Sequence, residues 1–99
     1  MIYTIEEIKS ITVPIVKTYR IASISLFGSY AKGEATSDSD IDFIMDKGNL
    51  TGIEYFSLVE ELEDAFSCKV DLITTEFSNK SFLNTIRKDL ILIYEQKRK

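Results

Sequence analysis

The sequence predicts a small α/β (α+β) domain in which a mixed sheet is flanked by helices. Two capping boxes, Thr4 with Glu7 and Thr51 with Glu54, announce helices. Three short runs rich in β-branched and aromatic residues, "RIASISLF", "IDFIM" and "CKVDLIT", read as strands. The two kinds of signal alternate along the chain, as they do in layered α/β proteins. At 99 residues the expectation is one domain, residues 1–99, burying a single modest core without disulfides or a structural metal.

The first helix begins in "TIEEI", where the Thr4–Glu7 spacing satisfies unpaired amides. Pro14 lacks the amide that would bond the Ser10 carbonyl, so the stretch from Thr4 to Tyr19 is either kinked or split into two short helices, with a break near Thr12. "RIASISLF" is a strand ending at Phe27, and "GSYAKG" gives it a tight exit with Ser29 placed to cap a short helix. "IDFIM" is the second strand, closed by the turn signal "DKGN". Beyond it Tyr55, Leu58, Val59, Leu62, Ala65 and Phe66 recur at three- and four-residue intervals, the core-facing stripe of an amphipathic helix. "CKVDLIT" is the third strand and "SNKSFLNTIRKD" a further helix, while "LILIY" is either a last short strand or the docked end of that helix.

Composition excludes several chemistries. The single cysteine, Cys68, cannot form an internal disulfide and reads as a small core residue at a strand edge; without histidine, the usual zinc sites and Ser-His-Asp triads cannot be built. Catalysis must rest on carboxylates, lysines, hydroxyls or bound oxygen-loving metals. No apolar run approaches the roughly 20 residues of a membrane span, so a cytoplasmic chain with no membrane partner is expected. A net charge of −4 argues against direct nucleic-acid binding, yet the charge is uneven: ten acidic residues and one basic residue, Lys47, lie between Glu34 and Asp64. The basic "EQKRK" reads as a solvated terminus. Glu60, Glu61, Glu63 and Asp64 form an acidic helix face, either solvated or set to meet a basic partner.

The chemistry concentrates in "GSYAKGEATSDSDIDFIM". Ionised carboxylates in a buried strand are disfavoured unless a cation or hydrogen-bond network compensates them. Asp40 and Asp42, two apart, point to one face about 6 to 7 Å from each other. If the strand bearing Asp71 is a neighbour, a third carboxylate joins them, and the cluster calls for divalent cations, magnesium being the natural one. Gly28 lets backbone approach a ligand, and Ser29 adds a hydroxyl beside the free amides of a helix start, an arrangement suited to phosphate. Gly28-Ser29, ten residues, then Asp40-Ile41-Asp42 arises by chance on the order of once in 10⁵ start positions.

This pattern resembles the signature of the nucleotidyltransferase superfamily that includes DNA polymerase beta, and its minimal single-domain branch, the MNT proteins, in particular. The resemblance implies the nucleotidyltransferase fold. It implies that Gly28 and Ser29 hold the nucleoside triphosphate and that Asp40 and Asp42 ligate two Mg²⁺ ions. Asp71 would complete the metal site on the acceptor side and help deprotonate the attacking hydroxyl. Lys32 departs from the arginine of many relatives and loses the bidentate fork, so it is read as solvated. Gly33 is read as serving backbone geometry, and Asp38 as shaping the loop.

Ninety-nine residues leave no room for the helical domain with which larger relatives grip a second substrate. The resemblance therefore implies the antitoxin role of HEPN/MNT pairs: AMP moves from ATP to a hydroxyl, tyrosine by analogy, of a HEPN ribonuclease toxin. The alternative is a non-catalytic antitoxin that neutralises its partner by occlusion. Homo-oligomerisation stays open.

Overall fold

The computed structural model describes residues 2–96. Its element order is α1 (Ile5–Val16), β1 (Ser23–Phe27), α2 (Gly28–Lys32), β2 (Ile41–Asp46), α3 (Gly52–Phe66), β3 (Val70–Thr74), α4 (Lys80–Ile86) and β4 (Ile91–Glu95). Short 3-10 turns occupy Thr75–Phe77 and Arg87–Asp89. The strands form one sheet in the order β3-β2-β1-β4. β1 runs antiparallel to both β2 and β4, whereas β2 and β3 are parallel. A parallel pair needs a crossover, and α3 supplies it. The result is the expected mixed sheet, with "LILIY" resolved as its fourth strand. The basic end of "EQKRK" lies outside the described residues.

Both capping boxes form: Thr4 and Glu7 reciprocate at α1, as do Thr51 and Glu54 at α3. The expected break near Thr12 does not occur. Helix α1 passes through Pro14 and ends two residues later, so only the Ser10 carbonyl loses its partner, and Ser10 is exposed to water. Buried Ile8, Thr12 and Val16 lie at four-residue spacing and hold this helix to the core on both sides of the proline. Along α3, Leu58, Leu62 and Phe66 are buried and Tyr55 and Val59 half-buried, but Ala65 faces outward.

The core lies between α1 and α3 and one face of the sheet. Ile41, Phe43 and Met45 of β2 are fully buried, and Phe43 packs its ring against Phe66 at 6.4 Å between centroids. Phe66 also meets Tyr3 edge to face at 5.1 Å. Alternation along β2 sends Asp42 and Ile44 to the opposite face, where Phe27 of β1 and Phe82 of α4 meet edge to face. Thr12 is the exception in the core: its hydroxyl is fully buried with no hydrogen-bond partner.

Candidate active site

The candidate site residues collect where β1 ends and β2 and β3 begin. Phe27, the last residue of β1, pairs with Asp42, and Asp42 pairs with Asp71 across the parallel β2–β3 ladder. Residues in register share a face of the sheet, so the Asp42 and Asp71 carboxylates stand side by side on the face away from Phe43. Asp40 sits one residue ahead of β2, exposed. The chain thus sets two of the aspartates picked out from the sequence, Asp42 and Asp71, beside each other, with Asp40 on the exposed approach to β2.

Gly28 closes the site from the β1 side. Its φ of 75° lies in the left-handed region, and a Cβ there would run into the Asp42 carboxylate. Glycine is required twice, by conformation and by space. The turn into α2 therefore presses backbone directly against the carboxylate. Ser29 follows in the first turn of α2 as its second residue, rather than at its cap as expected. The reason is that α2 starts immediately from Phe27, whose extended backbone takes the cap position without a side-chain hydrogen bond. Side chains of Thr4, Thr51 and Asn79 cap the other three α-helices, which leaves α2 as the uncapped one. Gly33, at φ 73°, ends α2 in the left-handed conformation, in keeping with its geometric role, and Lys32 is exposed. Asp38 is exposed in the loop, where its N–H lies 3.3 Å from the Thr36 hydroxyl.

Burial pushes the Asp42 carboxyl up to about 6, and the neighbouring charges of Asp71 and then Asp40 add to the shift. Crowded oxygens of this kind suit a hard divalent cation, which would relieve both effects. Among the described residues no three acidic or thiol side chains are gathered closely enough to hold an ion unaided. Magnesium fits this arrangement, since it commonly takes one or two carboxylates and completes its shell with water and substrate phosphates.

Tyr55 escaped the sequence reading. Its place in the apolar stripe of α3 marked it as core, but its hydroxyl donates to the Leu72 carbonyl, and burial, with the Asp71 charge in support, raises its pKa. Nothing in helical spacing distinguishes such a tyrosine from a buried one.

A mixed sheet with α1 and α3 packed on one face, and paired carboxylates beside a glycine turn on the other, is the architecture of a nucleotidyl-transferring domain. The polymerase beta nucleotidyltransferase family model matches residues 6–99, and the chain belongs to that family, an enzyme class acting on nucleotides. A candidate protein adenylyltransferase of Methanocaldococcus jannaschii is 43% identical over 79 residues, covering 76% of this chain and 79% of the relative. Protein adenylyltransferase MntA of Thermococcus cleftensis is 30% identical over 95 residues, covering 91% and 96%. Among solved structures, the fold is similar to a chain in the complex of a tri-AMPylated Shewanella oneidensis HEPN toxin with its MNT antitoxin. That match has a TM-score of 0.69 at 18% identity and covers 92% of this chain and 72% of the other. Among the described residues no helix is long and apolar enough to cross a membrane.

Proposed function

We propose that this chain is a magnesium-dependent protein adenylyltransferase that moves AMP from ATP to a hydroxyl, most simply a tyrosine, of a HEPN toxin and so acts as its antitoxin. The observation that carries the reading is the Asp42–Asp71 register pair held against Gly28. The near full-length similarity to a protein named for this activity supports the protein acceptor, and the HEPN complex of similar fold supports the partner.

In this mechanism Asp42 and Asp71, joined by Asp40 from the strand entry, would hold the metal together with substrate phosphate oxygens, and a bound metal would neutralise the carboxylates and the phosphates. Gly28 admits the triphosphate to the backbone at the start of α2, and the Ser29 hydroxyl donates to a phosphate oxygen. Asp71, exposed on the β3 side, accepts the proton of the attacking hydroxyl. The hydroxyl oxygen bonds to the α-phosphorus, the bond from that phosphorus to the bridging oxygen breaks, and pyrophosphate leaves.

The test combines the purified chain, ATP, magnesium and a HEPN protein from the same source as this chain, with intact mass spectrometry of both chains. An AMP added to the HEPN protein, and lost with Asp42→Asn, is the expected result. A stable complex in which neither mass changes with any nucleotide would instead favour neutralisation by occlusion.

A further inference from the structure

A cavity lies along the outer edge of β3, the strand that carries Asp71. It is a groove of about 550 Å³ between the first turns of α3 and the outer edge of β3, with Leu50, Tyr55, Phe56, Leu72 and Ile73 as its apolar walls. Leu72 and Ile73 directly follow Asp71, so the groove and the carboxylate share one strand. Gly28 and Ser29 lie across β2 on the other side, so the groove borders the outer edge of the strand that carries Asp71, toward the ends of β2 and β3 at Lys47 and Thr74.

Two residues of α3, one helical turn apart, are left uncovered: Ile53 is 82% exposed and Phe56 73%. Phe56 forms part of the groove wall and also borders a second hollow of about 400 Å³ that includes Glu60 and Glu63. An isolated apolar residue on a surface is ordinary, but here an exposed pair shares the second hollow, and one of the two also walls the apolar groove, the kind of patch a partner covers. The outer edge of β3 does not invite strand addition. Glu63 takes the Val70 N–H at 3.2 Å, the Tyr55 hydroxyl donates to the Leu72 carbonyl, and the Ser78 hydroxyl donates to the Thr74 carbonyl at 2.9 Å. What the groove offers is an apolar recess for a side chain.

Charge selects the occupant. Helix α3 carries Glu54, Glu60, Glu61, Glu63 and Asp64 and no basic residue, on a chain of net charge −4. A second copy docking through this face would set like charges against each other, whereas a basic protein surface would complement them. We infer that the groove between α3 and the β3 edge receives an apolar side chain of the basic protein that presents the acceptor hydroxyl, with Ile53 and Phe56 as its contact residues. This rests on the adenylyltransferase reading for the identity of the partner.

Calorimetric titration of the HEPN protein into the full chain, alongside AMP transfer measured by mass spectrometry, tests it. Phe56→Ser and Ile53→Ser replace exposed side chains and should leave the melting temperature in place. The expected result is a Kd raised about tenfold by each, with the transfer rate at saturating partner preserved. Glu60→Lys should weaken the complex most at low salt. An unchanged Kd in both serine variants overturns the inference, as does a wild-type homodimer that Phe56→Ser dissolves. If wild type binds its partner but transfers no AMP, the activity proposal fails while the Kd comparison still decides the groove.

Discussion

Two faces of the same two strands behave oppositely. In β2 and β3, Phe43 and Leu72 pair across the ladder on the helix-covered face, and one residue earlier Asp42 and Asp71 pair on the other. The first pair is buried, and Phe43 packs against Phe66, so that face contributes stability. The second pair sets like charges beside each other, a cost to the fold that only a bound cation or a proton removes. A single residue step along a strand thus separates what holds this protein together from what the site needs.

The comparison is broken most sharply by exchanging its two sides. Asp42→Asn should lower AMP transfer at least about a thousandfold in the mass-spectrometric assay while leaving the chain folded. Normal transfer by this variant would remove Asp42 from the site. Its neighbour should behave in the reverse sense: Phe43→Ala is expected to cost about 3–5 kcal/mol in urea unfolding, enough to threaten a domain of this size. Gly28 stands where the two faces meet. Gly28→Ala should both abolish transfer and destabilise by about 1–3 kcal/mol, because the added methyl must displace the Asp42 carboxylate from a left-handed backbone position.

A pH series sharpens the comparison further. Asp42 titrates at about 6 in the folded chain against an ordinary 3.8, so the native state holds its proton longer than the unfolded state. The contribution is therefore full below the unfolded value and is lost as pH rises through about 6. With EDTA present, wild-type stability should fall across that window and Asp42→Asn should remain flat. Above about pH 7 the variant should be more stable by about 1 kcal/mol, a figure discounted for the screening of a half-exposed carboxylate. On the core side, Thr12→Val should stabilise by about 1 kcal/mol in thermal unfolding, since it replaces a buried hydroxyl that has no partner with a methyl group.

Elements with local causes were readable in advance. Each capping box joins residues three apart, and the α3 stripe follows from helical period alone, so neighbours in the chain suffice to predict them. Where the reading missed, the cause lay elsewhere in the molecule. Pro14 is a local signal for a break, yet the burial of Val16 beyond it, settled by packing, keeps α1 whole. Ser29 is a good cap residue that the abrupt start of α2 leaves inside the helix.

The sequence by itself determined the candidate groups, Asp40 and Asp42 at a two-residue spacing that on a strand repeats on one face. It also determined that Gly28 precedes them at a fixed spacing. Only the tertiary structure decided that β3 lies parallel to β2 in the register that sets Asp71 beside Asp42, and that the Gly28 backbone closes on that carboxylate. Strand pairing joins residues far apart in the chain, and its register is chosen by how Phe43 and Leu72 fill the buried face, a choice no short stretch of sequence contains.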